Sequence, residues 1–154
     1  MSQPMRQCGS CTACCTVMGV EELDKPAFKP CRHEVVQGCS IYNDRPQSCR
    51  NFVCVWLLDP GKIFRNMERP DRLGVMFDVT LDKGVIHDIG TQALVAREVR
   101  PGAFKEPAAQ KVLERLAKRV LIVMVEEKAR GLIGPEHLVK LAKRGALRLL
   151  EEKA

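Results

Sequence analysis

Eight side chains in this sequence have the types and spacing to do chemistry together: Cys8, Cys11, Cys14, Cys15, Cys31, Cys39, Cys49 and Cys54. All fall between residues 8 and 54, and the 100 residues after them contain no cysteine. Cysteines used only for packing would be scattered, so the clustering needs another cause. Two chemistries use such a cluster: disulfides in an oxidising compartment, or thiolate–metal bonds in a reducing one. The start of the chain, Met1-Ser2-Gln3-Pro4-Met5-Arg6, leads into no apolar stretch of the kind a secretory signal carries. The expectation is therefore a cytoplasmic protein with reduced thiols that bind metal. Cys8-x2-Cys11-x2-Cys14 agrees, because intervals of three residues let successive sulfurs converge on one metal or cluster.

Zinc and iron, including an iron–sulfur cluster, both remain open. Three cysteines at this spacing with a remote fourth is a ferredoxin-like arrangement, and four cysteines are equally ordinary for zinc. Thiolate softness would also admit copper(I) in a metal-storage role. Adjacent Cys14 and Cys15 are hard to satisfy at one tetrahedral ion, since neighbouring side chains diverge. They imply two sites sharing a loop, or one ligand beside a thiol of another role. Eight thiolates would fill two tetrahedral sites, but spacing does not divide them. His33, two residues after Cys31, offers an imidazole as a further ligand, against the plainer reading of an exposed histidine. Arg45 and Arg50 flank Cys49, where their guanidinium groups could offset thiolate charge. The alternative pairs them with Glu34 or Asp44 on the surface. Tyr42, Phe52 and Trp56 are expected beside the cluster, keeping water from it.

The string Cys8-Gly9-Ser10-Cys11-Thr12-Ala13-Cys14-Cys15 resembles the CxxCxxCC signature of the YkgJ-type cysteine-cluster family, a zinc- or iron-chelating domain. The resemblance continues through Glu22-Leu23-Asp24-Lys25-Pro26, Cys31-Arg32-His33 and Gly38-Cys39-Ser40-Ile41-Tyr42. It then covers Asp44-Arg45-Pro46, Ser48-Cys49-Arg50-Asn51-Phe52, Cys54 and Trp56-Leu57, so it is dense over residues 8 to 58. Arg69-Pro70-Asp71-Arg72 looks like the start of a second half, with few diagnostic residues. The resemblance implies cytoplasmic metal binding and little about reaction. Some flagellin lysine methyltransferases carry a similar module linked to an iron–sulfur cluster, which makes redox or methyl transfer the alternative function. Many relatives carry a further cysteine where this chain has Glu34. A site here has either lost that ligand or uses oxygen in its place.

The elements that must position these residues are read from periodicity. After Asp59-Pro60-Gly61 the character of the chain changes, giving a cysteine-cluster module over 1–60 and an α+β remainder over 61–154. Sixty residues hold too small a core to fold alone, so metal is expected to supply part of the module's folding energy. Leu73, Val75, Phe77, Val79 and Leu81 alternate as a strand with one apolar face, and Asp82-Lys83-Gly84 turns into a partner over Val85 to Ile89. Ala93 to Val99 reads as a third strand, with a helix as the alternative. Ala109, Val112, Leu113, Leu116, Ala117 and Val120 form the stripe of an amphipathic helix from about Pro107. Leu121 to Val125 reads as a buried strand, with Ala129 to Ile133 pairing back on it. Gly134-Pro135 opens a last helix with Leu138, Leu141, Ala142 and Leu149 inward. The expected fold is α+β: a metal-stapled module on an antiparallel sheet with two helices.

Composition narrows the function classes further. The chain has 154 residues, 45% hydrophobic and 29% charged, which excludes wholesale disorder. Its longest apolar run, Phe52 to Leu58, is too short for a membrane span. There is no glycine-rich phosphate loop, nucleophile elbow or zinc-protease helix motif, and His87 reads as a core or interface histidine. The net charge of +6 gathers at the C-terminal end, where residues 101–154 hold twelve basic and seven acidic side chains. Helices over 107–119 and 135–151 could present these to phosphates as a nucleic-acid-binding module. No aromatic residues interleave to stack bases, and Glu114–Lys118 at i,i+4 suits a solvated face.

Overall fold

Ala109, Val112, Leu113 and Leu116 recur at helical spacing and are all buried in the computed structural model. The structure describes residues 6–59, 62–79 and 93–152, the last eight through their backbone only. Among them are six helices: α1 (Ala13–Val17), α2 (Gln47–Asn51), α3 (Val55–Leu58), α4 (Pro70–Leu73), α5 (Pro107–Ala117) and α6 (Glu136–Glu152). A small antiparallel sheet pairs β1 (Glu34–Val35) with β2 (Gly38–Cys39). A four-stranded sheet runs β3 (Val75–Asp78), β4 (Ala93–Glu98), β5 (Leu121–Val125), β6 (Arg130–Ile133) in that spatial order. The fold is α+β.

The large sheet is mixed rather than wholly antiparallel. β3–β4 and β5–β6 are antiparallel, but β4 and β5 run parallel, with Ala93 opposite Leu121 and Arg97 opposite Val125. The cause is the stripe on α5. It packs against Val75, Phe77, Ala96 and Ile122, so the chain must cross the sheet between β4 and β5 and return in the same direction. Pro107 opens α5 at a position where its missing N–H costs nothing.

Alternation along the strands sends the other residues to the opposite face. Ala93 and Leu121 meet Leu138 and Ala142 of α6 there, and Met76 meets Ala13 and Val17 of α1. β3 is therefore buried along its whole length, not on one face as its alternation suggests, because the cysteine-rich segment covers the second face. Asp78 shares that face at 1% exposure and accepts from Arg97 Nε at 2.7 Å. Leu73 belongs to α4 rather than to the strand, and Val79 past its end is exposed. Leu141, expected inward, is 38% exposed, because the buried stripe of α6 runs from Leu138 straight to Ala142 and leaves it on the flank. Leu81, His87, the turn at Asp82-Lys83-Gly84 and the strand expected over Val85 to Ile89 lie outside the described residues, as does the side chain of Leu149.

The cysteine-rich segment joins the sheet through α3 and the residues after it. Trp56 is buried in the α5 core, where Phe64 and Phe77 stack at 5.1 Å between ring centroids. Asp59 accepts from the N–H groups of Lys62, Ile63 and Phe64 at 2.8–3.2 Å. Arg6 pairs with Asp59 at 3.3 Å, donates to the carbonyls of Trp56 and Phe64, and lies 4.7 Å over the Trp56 ring. Burial raises the Asp59 pKa, but these N–H groups and Arg6 outweigh it and hold the carboxyl below its ordinary 3.8.

Two outcomes follow for stability. Asp59 stabilises the fold as a carboxylate above its ordinary pKa, and this is lost as pH falls through its depressed folded value. Asp59→Asn is expected to cost ~1–3 kcal/mol near neutral pH, with the gap to wild type closing below about pH 4, read from urea midpoints across pH. Gly134 sits at φ 146°, and a Cβ there would stand 2.8 Å from the Val120 carbonyl and 2.9 Å from Leu121 Cα. Gly134→Ala should cost more than ~1 kcal/mol. Gly131→Ala, whose nearest neighbour would be Met124 Cβ at 3.8 Å, should change the midpoint little.

Candidate metal centre

Local backbone chemistry brings the cysteines together from six short pieces. Gly9 adopts φ 55°, which lets the chain double back so that Cys11 N–H donates to Cys8 O at 2.9 Å. α1 follows at once and carries Cys14 and Cys15. Cys31 docks on α1 by donating its N–H to Cys15 O at 3.1 Å, and its own carbonyl accepts from Glu34 N–H at 3.0 Å. The β1–β2 hairpin then sets Cys39 opposite Glu34. Pro46 precedes α2 in an extended conformation that its ring favours, and α2 carries Cys49. Ser48 anchors α2 by donating to both carboxylate oxygens of Glu22, at 2.7 and 3.1 Å. Cys54 stands at the N-cap of α3.

Seven of the eight cysteines line one cavity of about 430 Å³, together with His33 and Arg45. Met18, Ile41, Phe52 and Val79 give it apolar walls, and Tyr42 stands at its edge, 55% exposed. Cys54 is the cysteine that does not line it; its side chain packs between the core under α5 and the cluster of Ala13, Val17 and Met76. All eight are free of disulfides. Among the described residues, no three Cys, His, Asp or Glu side chains stand close enough to hold an ion without moving. A tetrahedral zinc site places its sulfurs about 3.8 Å apart, so loading this cavity requires the thiols to close inward. The donor set itself fits zinc or an iron–sulfur cluster, because it is rich in soft thiols within one apolar-walled space.

The thiols hold one another's protons. The Cys14 thiol donates to the Cys15 sulfur, which brings Cys15 down to about 7 and keeps Cys14 protonated well above its usual range. Burial pushes Cys11 up to about 11, and burial likewise raises Cys8, Cys49 and Cys54. Arg45 opposes this at Cys8 and adds to the lowering of Cys15. Its guanidinium lies 3.8 Å over the Tyr42 ring and donates to Tyr42 O at 2.9 Å. Arg50 instead braces the turn before α2, donating to the carbonyls of Arg45 at 2.9 Å and Asn43 at 2.6 Å. His33 reaches the cavity, although its Nε2 accepts from Arg32 and its backbone N–H approaches Cys31 Sγ at 3.5 Å.

Around the cavity, Lys25, Arg69, Asp71 and Thr12 lie in strings the resemblance covers, but their types and spacing gave them no role there. Lys25 is buried, and its ammonium donates to the carbonyls of Thr16, Met18 and Pro26 at 3.3, 2.5 and 3.1 Å, closing the end of α1. Burial lowers its pKa, while the facing Cys31, Cys15 and Cys14 favour its charge. Asp71 pairs with Arg69 at 2.6 Å and accepts from Cys11, and Arg69 also donates to Ser10 at 3.2 Å. These contacts span about sixty residues of chain, and no local pattern records them. Thr12 donates to Glu34 Oε1 at 2.7 Å, and Glu34 Oε2 is buried without a hydrogen-bond partner among the described residues.

The basic helices carry fewer free cations than their composition suggests. Arg115 bonds Glu68 at 2.8 Å and the Ile63 carbonyl at 3.1 Å, and Lys140 pairs with Glu136 at 2.8 Å. Among the described residues no helix is long and apolar enough to cross a membrane. No protein-family model matches the chain, and no curated protein or solved structure is significantly similar to it.

Lys25 is the residue whose removal tests how the cavity is built. Lys25→Met leaves two carbonyls at the end of α1 and that of Pro26 without their donor and is expected to cost ~2 kcal/mol in urea denaturation. A stability unchanged within about 0.5 kcal/mol would mean that water replaces the ammonium at no cost.

Proposed function

We propose that this protein is a cytoplasmic cysteine-cluster metal-binding protein of YkgJ type, holding zinc or iron, the iron including an iron–sulfur cluster. The observation that carries the reading is the convergence of seven cysteines, drawn from five segments, on one apolar-walled cavity. Burial raises the pKa of Cys8, Cys11 and Cys49, an unfavourable environment for free thiolates that a bound cation would reverse. Such a centre would hold the cysteine-rich segment together and, as an iron–sulfur cluster, could carry electrons or support methyl transfer.

The same chemistry weakens the nucleic-acid reading. Eight thiolates carry −8 and two Zn2+ restore +4, so the formal charge of +6 falls to +2 on loading. Two cluster cores of charge +2 give the same result. The cysteine-rich segment then turns acidic while the C-terminal helices stay basic, giving a polarised surface rather than a basic protein.

The test is anaerobic purification with reductant, followed by elemental analysis, acid-labile sulfide and a visible spectrum. Stoichiometric zinc in colourless protein, or iron and sulfide in brown protein, is the expected result, the second also supporting the redox or methyl-transfer role. Metal-free protein under these conditions would sink the proposal.

A further inference from the structure

The turn that precedes α1 begins and ends on a cysteine, and its backbone already brings the two together. We propose that Cys8 and Cys11 form a dithiol–disulfide redox pair that exchanges with low-molecular-weight disulfides of the glutathione class. The pair is a property of the turn and goes beyond the metal-binding reading, which uses these thiols only in their reduced form.

The geometry of the turn carries the proposal. Cys11 N–H donates to Cys8 O at 2.9 Å, closing Cys8-Gly9-Ser10-Cys11 as a β-turn. A β-turn holds its first and fourth Cα atoms within about 7 Å, and disulfides bridge Cα atoms about 4.4–6.8 Å apart. Gly9 supplies the φ of 55° at which the chain doubles back. Arg69 clamps the turn from the sheet side, donating to Ser10 Oγ at 3.2 Å. Asp71, fixed to Arg69 by two bonds of 2.6 Å, accepts from the Cys11 thiol. The tertiary structure therefore holds the turn in the conformation that a disulfide needs.

The surroundings of the two thiols divide the work of exchange between them. Gly9 and Ser10 are exposed, and Cys8 beside them is partly so. Cys11 packs on the cluster of Ala13, Val17 and Met76. Cys8 thus meets the small disulfide, and Cys11 resolves the product. The Cys8 thiolate attacks one sulfur of the small disulfide, whose S–S bond breaks to release a first thiolate. The Cys11 thiolate then attacks the Cys8 sulfur of the mixed disulfide and releases the second. The protons given up by Cys8 and Cys11 pass to the two released thiolates. Two protein thiols are oxidised as one small disulfide is reduced to two thiols. A bond across an exposed turn belongs to the readily reduced kind, so reduced glutathione reverses the step.

Other pairings are less well prepared. Cys14 and Cys15 are consecutive residues of α1 that point about 100° apart, and joining them would break the helix. Cys54 packs on the core side, outside the cavity. Cys15 and Cys31 meet through a backbone bond of 3.1 Å and form the competing pair that the test must separate. Cys8 and Cys11 both line the cavity, so their oxidation withdraws two of its seven thiols and would release a metal held there. This consequence alone rests on the metal-binding reading.

The experiment counts thiols in the full-length wild-type protein and in Cys8→Ser, Cys11→Ser and Cys31→Ser. Each is equilibrated anaerobically with graded ratios of oxidised to reduced glutathione, with a chelator present and circular dichroism to check folding. Samples are quenched in acid, alkylated, weighed intact and mapped by peptide fragmentation. At the mildest ratio that oxidises wild type, wild type and Cys31→Ser should each lose two thiols. Cys8→Ser should keep all of its own, and Cys11→Ser should lose at most one, trapped as a glutathione adduct on Cys8. Fragmentation should place the wild-type bond between Cys8 and Cys11, and this map decides the pairing even where a variant fails to fold. Loss of two thiols from Cys8→Ser at that ratio, protection by Cys31→Ser, or a wild-type bond between any other pair would overturn the proposal. So would wild type that keeps all its thiols in oxidised glutathione alone. Because the count is made in chelator, it stands whether or not the protein is purified with metal, which keeps its failure distinct from that of the metal-binding reading.

Discussion

The structure depends on one packing contact, the seating of α1 on the second face of β3. A loop carrying eight thiols in fewer than fifty residues buries little of its own apolar surface and has no core to order it. Ala13 and Val17 bury themselves against Met76 instead, so the sheet acts as the floor beneath the cysteines. Everything else in the module is referred to that helix. Cys31 hydrogen-bonds to its backbone, Lys25 closes its C-terminal carbonyls, and Asp71 and Arg69 reach the turn before it from the sheet side. The sheet in turn owes its rigidity to the α5 crossover, which fills its other face.

A second constraint is charge. Clustered buried thiols resist ionisation, since each thiolate raises the cost of the next. The fold answers with a small number of cations placed at backbone-defined positions. Lys25 is held by three carbonyls, Arg45 lies on Tyr42, and Arg69 is locked to Asp71. None of these is free to swing away, so they supply fixed positive potential around the cavity rather than mobile partners. Cys15 is brought down to about 7 by the thiol of its neighbour.

Much of this was legible in the residues. The helix over 107–117, the strands over 93–98 and 121–125 and the return strand to Ile133 follow from periodicity and sit where it places them. The α+β class follows with them. The direction of β5 was not legible, because parallel and antiparallel strands have the same apolar content when both faces are covered. Leu141 misled for a related reason: a leucine beside a buried stripe looks the same in sequence as one within it. At the site, the cysteines announced themselves by clustering. Arg50 and Arg45 looked equivalent around Cys49, yet only Arg45 faces the thiols, since Arg50 is spent on two carbonyls of the preceding turn.

The sequence alone determined that eight thiols would be confined to one short stretch with too little apolar surface to order itself, followed by an α+β unit able to support it. Residue type and local period carry that information because they depend only on near neighbours along the chain. The tertiary structure decided that seven of the thiols line one cavity, that Cys54 packs on the core side, and that Lys25, Arg69 and Asp71 complete their surroundings. These relations cross tens of residues and arise from burying α1 and α3 on a sheet whose strand order the chain itself does not display.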